Sequence, residues 1–422
     1  MDDIQVASLV HTVSSHTGDV NWVCFSGQNL ASSSGDKTVR LWKLDDFNEQ
    51  ACSPLLGHTY HVHCCVFSPF GTLLASCSTD GKAILWDAKS GEQIATLYHK
   101  SKASVRVCRF SPDSSVLATG SEDESLCLWD VSSRKLIRTF VGHEATVTAL
   151  AFSPDSTYII SGSTNGDIRL WDARYGHGQC LSMNLDAHDL GVTCCEFSST
   201  YGSASNSDSM QRVFLLASCG NDNLVKLWDI ISTPGGPTVG LSQRCELVGH
   251  DAPVMACCFS PNGKFLASAS GDKTVRLWNP LKAGELIHVI EGHTRYVTCC
   301  AFSPSGQLLA TGSNDRTIKI WKLVTGVELS YSTDIESEGD LTIDISELSI
   351  KRHCEDWNID DVCEWVRSQG LEQYCDSFRE QAIDGCELFQ LKDSDLENSL
   401  EISEYSRMAR CDIGTRAGSE GS

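Results

Sequence analysis

The sequence lacks the features of a membrane-spanning or exported chain. It contains no run of about 18 apolar residues, the length that indicates a transmembrane helix. Its first residues, MDDIQVASLV, are acidic and have no basic start followed by an apolar core, so we expect no signal peptide. Basic residues are also scarce, since 33 Lys and Arg stand against 55 Asp and Glu, a net charge of −22. Because basic patches bind nucleic acid, we expect neither nucleic acid nor a membrane as a partner.

Cysteine is abundant, with 21 residues, but no Cys-x-x-Cys occurs. Adjacent pairs such as Cys64-Cys65 fall in short apolar segments, where neighbouring side chains point to opposite faces of a strand and cannot share a metal. His61 and His63 beside Cys64 are candidate zinc ligands, but they lack a second ligand cluster, and solvent-facing side chains are the favoured interpretation. The sequence therefore predicts buried free thiols in a reduced, intracellular protein, cytoplasmic or nuclear, with no metal or cofactor.

One stretch of sequence occurs seven times. Its clearest copy, residues 249–279, is GHDAPVMACCFSPNGKFLASASGDKTVRLWN. Two apolar runs and an alternating segment are separated by Ser-Pro-Asn-Gly and Gly-Asp-Lys turns, which predicts three short strands. Such small units need copies of themselves on either side to bury both faces, as in repeat proteins. The tryptophans that close the copies, at steps of 44, 43, 42, 57, 50 and 43 residues, are Trp42, Trp86, Trp129, Trp171, Trp228, Trp278 and Trp321.

These copies resemble the WD-repeat family over residues 1–327. An upstream His, a Val opening the first strand and a turn residue six before the Trp recur in all seven, and Trp-Asp itself stands at 86–87, 129–130, 171–172 and 228–229. The resemblance implies a mainly β fold, a seven-bladed WD-repeat β-propeller with four-stranded blades. We expect residues 5–14 to supply the fourth strand of the seventh blade and close the ring, and the fourth strand to follow the Trp elsewhere. The Ser- and Asn-rich insertion 199–212 is a predicted loop in the fifth blade.

The resemblance also assigns a His, a Ser or Thr, an Asp or Asn, and the Trp of each unit to a structural tetrad. A buried Asp needs donors, and a His can connect it to a hydroxyl while the indole N–H ends the chain of hydrogen bonds. The residue types resemble a catalytic triad, but seven copies indicate architecture, so we expect no catalytic residue among them. The tetrads predicted for the second, fourth and sixth units are His58, Ser76, Asp80 and Trp86; His143, Ser161, Asn165 and Trp171; and His250, Ser268, Asp272 and Trp278.

The repeat pattern stops after Leu329. Residues 328–353 are acidic and are predicted to form a flexible linker. Apolar residues then recur at helical spacing, and Trp357, the Gly-Leu-x-x-Tyr of 370–374 and the Ile-Asp-Gly of 383–385 resemble the sterile alpha motif. The match ends near Ile402 without the basic fifth helix of a complete motif. We therefore expect a small, incomplete all-α sterile alpha motif over 354–405 and a disordered tail over 406–422.

A propeller followed by a sterile alpha motif resembles a family in which a U-box comes next and recruits a ubiquitin-conjugating enzyme. These 422 residues show no U-box pattern. The resemblance implies the substrate-recognising part of a U-box ubiquitin ligase, a protein-interaction scaffold that is not itself an enzyme. An alternative is a receptor for a cullin-type ligase, because the Trp-Asp-Ala-Arg of 171–174 is similar to the ending whose arginine, here Arg174, meets the damaged-DNA-binding adaptor. A scaffold unrelated to ubiquitin is a further alternative. An enzyme with its site in the channel is disfavoured, since no phosphate loop, metal spacing or unique nucleophile with a base occurs.

The residues around the recurring valine are the candidate contacts of a protein or peptide partner. They are expected to surround the channel mouth on one face, and they differ between copies while the valine recurs. Aromatic, Met and Arg side chains concentrate binding energy at interfaces, so Arg106, Met255 and Tyr296 are the predicted anchors, with a merely solvated rim as the alternative. The full candidate set is Asn21, His61, His63, Arg106, Thr148, Thr193, Met255, Tyr296 and Thr298.

Overall fold

The structure, a computed structural model, describes residues 4–174, 180–199, 212–232 and 239–325, together with Arg379. Within these residues the chain forms 27 strands in seven antiparallel sheets, which are the blades of a propeller. The predicted mainly β, seven-bladed fold is thus confirmed. The linker, helical motif and tail predicted for residues 328–422 lie outside the described residues, apart from Arg379, and so does most of the insertion 199–212.

The strands follow one another from the inside of each blade to the outside. Blades 1 to 3 contain β2 (Val20–Ser26), β3 (Asn29–Ser34) and β4 (Val39–Lys43); β5 (Val62–Phe67), β6 (Leu73–Ser78), β7 (Lys82–Asp87) and β8 (Gln93–Tyr98); and β9 (Val105–Phe110), β10 (Val116–Ser121), β11 (Leu126–Asp130) and β12 (Leu136–Phe140). Blades 4 and 5 contain β13 (Val147–Phe152), β14 (Tyr158–Ser163), β15 (Ile168–Asp172) and β16 (Cys180–Asn184); and β17 (Val192–Phe197), β18 (Arg212–Gly220), β19 (Val225–Ser232) and β20 (Val239–Leu247). Blades 6 and 7 contain β21 (Val254–Phe259), β22 (Leu266–Ser270), β23 (Val275–Asn279) and β24 (Glu285–Ile290); and β25 (Val297–Phe302), β26 (Leu308–Ser313), β27 (Ile318–Thr325) and β1 (Ile4–Val13).

The innermost strands surround a central channel. Each contacts the innermost strands of the two neighbouring blades, and β2 of blade 1 contacts β25 of blade 7, which completes the circle. Blades packed face to face bury both sides of their central strands, so β22, with the sequence LASAS, is buried at every position instead of alternating. The turns before the first strand and between the second and third strands open on one face, which we name the upper face. The remaining turns open on the lower face.

The N-terminal strand closes the ring, as predicted. β1 pairs antiparallel with β27, with Leu9 opposite Trp321 and Val13 opposite Ile318. Val13 is buried in the same apolar cluster as residues of blades 1, 5, 6 and 7. The ring of His11 also stacks on Phe47, which follows β4, with centroids 4.8 Å apart. β1 therefore covers the edge of β27 in blade 7 and also contacts blade 1.

Blade 1 departs from the predicted four strands, because the segment after Trp42 forms only isolated bridges. Val39 pairs with Leu55 and Trp42 pairs with Glu49, but no ladder forms between them. Pro54 lacks an N–H, and the hydroxyl oxygen of Ser53 instead accepts from the backbone N–H of Leu41 at 3.1 Å. A side chain thus satisfies part of the edge of β4 that a fourth strand covers in the other blades.

A β-bulge follows the recurring valine in all seven blades. In blade 6, for example, Val254 lies opposite Ser270 and Ala256 lies opposite Ala269, so Met255 has no partner across the ladder. A bulge redirects the side chain of the extra residue. The bulged residues of the seven blades are Asn21, His63, Arg106, Thr148, Thr193, Met255 and Thr298.

Candidate functional site

A chain of buried hydrogen bonds links three elements within each blade. In blade 2 the indole N–H of Trp86 donates to Oγ of Ser76 at 2.8 Å, and Nε2 of His58 lies 2.8 Å from the same oxygen. Nδ1 of His58 faces both oxygens of Asp80 at 3.1 and 3.2 Å. An imidazole that donates from Nδ1 accepts the hydroxyl proton at Nε2, so each group has a defined role. In blade 6 the same contacts, at 2.7 to 2.8 Å, join His250, Ser268, Asp272 and Trp278.

The charges of these tetrads suit a structural role. Burial raises the pKa of Asp80, but hydrogen bonds from His58 and from the backbone N–H of Thr59 outweigh this effect and bring the pKa to about 2. Burial lowers the pKa of His250, and the neighbouring Asp272 only partly opposes it. Asp80 is therefore ionised and His250 neutral at pH 7, and both side chains bond to partners inside their own blades.

In blade 4 the sequence predicts Asn165 as the tetrad acceptor, and the structure shows that this assignment is wrong. Nδ1 of His143 lies 2.8 and 3.0 Å from the oxygens of Asp167, whereas Asn165 is exposed on the turn. Asp167 is 1 % exposed and also accepts from Nε of Arg169 at 2.6 Å. A carboxylate can accept from the imidazole and the guanidinium together, which favours Asp167 over the neutral amide two residues earlier. Ser161 and Trp171 occupy their predicted places, 2.6 Å from Nε2 of His143 and 2.7 Å from each other.

Four of the bulged residues connect their blade to the next one. The side-chain amide of Asn21 donates to the carbonyl of Val62 at 2.7 Å. The hydroxyls of three threonines make the equivalent bond, and their acceptors are again the recurring valines of the following blade. The pairs are Thr148 with Val192, Thr193 with Val254, and Thr298 with Val20. The polar groups of these candidate contact residues thus bond to the backbone of the propeller itself, and the bond from Thr298 joins blade 7 to blade 1.

The bulged residues of blades 2 and 3 instead form a polar cluster at the channel mouth. Nη1 of Arg106 lies 3.2 Å from Nε2 of His63 and 3.5 Å from a carboxylate oxygen of Glu122. Nε2 of His63 is also 2.7 Å from Oγ1 of Thr79. Burial lowers the pKa of His63, and repulsion from Arg106 adds to this effect, so the pKa falls to about 4. The imidazole is therefore a neutral acceptor that positions Arg106, whose charge is shared with a partly exposed Glu122.

Further candidate side chains lie in the upper-face loops and inner strands of the propeller. Tyr296 is 54 % exposed, and its Cδ1 lies 3.7 Å from the position that a Cβ on Gly271 of blade 6 would occupy. His61 is exposed and is placed in the same way above Gly35 of blade 1, at 3.8 Å. Met255 is half-buried. Two exposed residues of the same loops, Tyr60 and Leu190, are absent from the predicted set. Both stand two residues before the recurring valine, whereas the predicted set includes only the positions directly next to that valine. Their place in the same loop is the sequence signal that indicates them.

The channel contains a charged residue that sequence reasoning missed. Arg109 belongs to β9 of blade 3, yet its guanidinium carbon lies 4.4 Å from the ring centroid of Trp22 in blade 1. Its Nη1 donates to Sγ of Cys64 in blade 2 at 3.0 Å and to the carbonyl of Cys108 at 2.9 Å. Burial raises the pKa of Glu196, on β17, to about 8, although its Oε1 accepts from the backbone N–H of Phe259 at 3.1 Å. The only sequence signal is a charge in the inner strand beyond the position next to the recurring valine.

On the lower face, Arg174 is exposed beside the end of β15. Its Nη2 donates to the carbonyl of Asp155 at 2.8 Å, and its backbone N–H donates to Asp172 at 2.8 Å. Of the residues that the structure describes, no three His, Cys, Asp or Glu side chains form a group that could hold a metal ion, and His61, His63 and Cys64 are no exception. Across the same ranges, no helix has the length and hydropathy that a membrane span requires.

The comparisons with known proteins agree with this architecture. A family model described as WD domain, G-beta repeat matches residues 7–43, 50–87, 91–130, 134–172, 178–229, 241–279 and 284–322. The SAM domain (sterile alpha motif) model matches residues 355–405. WD repeat, SAM and U-box domain-containing protein 1 is 49 % identical in Gallus gallus, over 95 % of this chain and 80 % of that protein. The same protein is 50 % identical in Homo sapiens, over 94 % and 79 %, and 41 % identical in Danio rerio, over 94 % and 80 %. The chain belongs to the family of WD repeat, SAM and U-box domain-containing proteins.

Proposed function

We propose that the propeller recognises protein substrates for a ubiquitin ligase of the U-box type. The observation that supports this proposal most directly is that the bulged residues fall into two groups, one bonded to the next blade and one partly exposed. Where Asn or Thr occupies the bulge, its polar group bonds to the next blade. Where His63, Arg106 or Met255 occupies it, no such bond to the next valine occurs among the described residues, and the side chain remains partly exposed at the channel mouth.

Arg106 is the principal contact in this proposal. The ion pair between Arg106 and Glu122 is partly exposed, and exposed pairs contribute only ~0–1 kcal/mol, so a carboxylate on a partner can replace Glu122 at little cost. Tyr296, held above Gly271, offers a large contact area with few rotatable bonds. A peptide that places an acidic residue on Arg106 and an apolar one against Tyr296 or Met255 fits this arrangement. The ubiquitin part of the proposal rests on the relatives, whose name includes a U-box.

The test is capture of partners by the full chain in two triple variants. Alanine at Arg106, Met255 and Tyr296 should lose most of the partners that the parent retains. Alanine at Phe70, Arg174 and Leu281, which are exposed in lower-face turns, is the matched control and should retain them. The opposite pattern would move the site to the lower face and favour the cullin-adaptor alternative.

The ligase step is measured separately. Partners that only the upper-face variant loses should carry less ubiquitin, and live longer, in cells depleted of the chain. Unchanged ubiquitin loads and half-lives would leave a scaffold without a role in ubiquitination.

A further inference from the structure

The guanidinium of Arg109 lies against a single buried thiol. It reaches from blade 3 past blade 2 to stack on Trp22 of blade 1, and Cys64 is the only side chain of blade 2 in the described part of the chain to which it donates. The donor is Nη1, which also bonds to the carbonyl of Cys108, so the position of the guanidinium is fixed by three neighbours. The result is a cation held 3.0 Å from a sulfur atom.

Two further cysteines surround Cys64. Cys77 lies directly opposite on β6, and the carbonyl of Cys108 on β9 is 3.7 Å from the Cys64 sulfur. A thiol with two neighbouring thiols can pass oxidation on to a disulfide, which an isolated thiol cannot.

Blade 5 provides an almost identical thiol that accepts no hydrogen bond from the guanidinium among the described residues. Cys194 is 2 % exposed, as is Cys64, and lies opposite Cys219 on the neighbouring strand. Its sulfur is 3.9 Å from the carbonyl of Cys195 and 3.7 Å from that of Cys257, the same distances that separate Cys64 from the carbonyls of Cys65 and Cys108. The two sites differ in the direct hydrogen bond from Arg109, which makes Cys194 an internal reference.

We propose that Cys64 is a buried, hydroperoxide-reactive thiol between blades 2 and 3, activated by Arg109. The Cys64 thiolate attacks one oxygen of hydrogen peroxide, an S–O bond forms as the O–O bond breaks, and the hydroxide that leaves takes up a proton from solvent to become water. Sulfur is oxidised to the sulfenic acid and peroxide oxygen is reduced. The thiol of Cys77 or Cys108 then attacks the sulfenic sulfur, an S–S bond forms as the S–O bond breaks, and the thiol proton leaves with the hydroxide as a second water.

The electrostatics of the site support this assignment. Burial raises the pKa of the Cys64 thiol, but contacts with Cys108 and Cys77 and the positive charge of Arg109 lower it well below its ordinary value. The pKa of Cys194 is lowered as well, chiefly by contacts with Cys219 and Cys257 and further by the positive charge of Arg109. The direct hydrogen bond from Arg109 to the Cys64 sulfur is therefore the feature that distinguishes the two thiols. The small exposure of Cys64 suits a reagent of two heavy atoms better than a bulky one.

The test exposes the full chain to hydrogen peroxide under native conditions. Catalase stops the reaction, and the chain is then unfolded in the presence of N-ethylmaleimide, which alkylates the thiols that are still reduced. Mass spectrometry with fragment ions reports which cysteines were oxidised and so escaped alkylation. We expect Cys64 to be oxidised at least about tenfold faster than Cys194, because its sulfur accepts the charge-assisted hydrogen bond from Arg109. Equal rates at the two cysteines in the unmodified chain would overturn the proposal, and this comparison requires no variant to fold.

Two substitutions in the channel sharpen the test. Arg109→Leu should slow the oxidation of Cys64 by about tenfold or more and change that of Cys194 by less than about threefold. Glu196→Gln, which is nearly isosteric and lies in the same channel, should leave both rates unchanged. If Arg109→Leu folds, as its circular dichroism and melting would show, and Cys64 reacts as before, the guanidinium only packs the channel.

Discussion

The residue after each inner valine has the same backbone setting in seven blades and two kinds of role. It is bulged in each case, so its side chain leaves the ladder. A short polar side chain at this position, such as that of Asn21 or Thr298, reaches the valine carbonyl of the next blade. The longer side chains of His63 and Arg106 contact each other and stay at the channel mouth. The sequence predicts where these residues lie but cannot show which of them bond to the scaffold.

Blade 4 provides a test of the tetrad at single-residue resolution. Asp167→Ala should destabilise the chain by roughly 1–3 kcal/mol, because the buried N–H of His143 and the guanidinium of Arg169 lose their acceptor. Asn165→Ala, on the exposed part of the same turn, should cost less than about 0.5 kcal/mol, as surface substitutions usually do. Urea unfolding of both variants measures these values. Equal losses, or a larger loss at Asn165, would contradict the assignment of Asp167.

At the scale of secondary-structure elements, two sheet edges are covered in different ways. The edge of β27 is covered by β1, which comes from the other end of the propeller sequence. The edge of β4 is covered by the irregular residues 44–55, with backbone bonds from Val39 to Leu55 and a side-chain acceptor from Ser53. Exposed edges pair with other chains, so both coverings protect against aggregation.

The closing strand can be tested with one buried and one exposed position. Val13→Asp places a charge in the apolar cluster at the seam and should cost roughly 3 kcal/mol or more, with aggregation on heating. Thr12→Asp, an exposed neighbour beside Lys319, should leave the melting temperature nearly unchanged. Thermal unfolding followed by circular dichroism and light scattering compares the two. If Val13→Asp melts with the parent, β1 does not contribute to the stability of the ring.

At the scale of the whole propeller, the seven sheets repeat the same buried polar groups. Every blade contains a buried, hydrogen-bonded imidazole. Among the described residues, every seam between blades except two is crossed by a hydrogen bond from a bulged side chain or by a contact between two bulged side chains. The buried imidazoles of His99, His250 and His293 all have pKa values below 6.5, first because burial disfavours their charged form. The stability of the propeller must therefore depend on pH through many residues at once.

Acid should destabilise the propeller in two steps. Below pH 6.5 the imidazoles are protonated in the unfolded chain but remain neutral in the folded chain, where their pKa is lower. The free energy of unfolding therefore falls as the pH drops from about 6.5 toward the folded pKa of His63, about 4. A second loss follows between pH 3.8 and about 2, where Asp80 and Asp315 are protonated more readily in the unfolded chain. Free energies of unfolding in urea at about pH 7.5 and about pH 5 measure the first step. His63→Gln should make that step smaller and His61→Gln, at an exposed position, should not; equal stability at the two pH values would refute the prediction.

The sequence by itself determined the number of blades, the identity of the closing strand and the histidine, hydroxyl residue and tryptophan of the predicted tetrads. These features are local and repeated, so seven copies of one pattern reinforce each other. The tertiary structure decided the rest. Asp167 replaces Asn165 because three-dimensional reach, not spacing from the Trp, selects the acceptor of His143. Ser53 completes the edge of β4 because its hydroxyl oxygen lies where the carbonyl of a fourth strand would accept from Leu41. Arg109 meets Cys64 and Trp22 only because a closed ring brings the first three inner strands around one channel, a proximity that no spacing along the chain encodes.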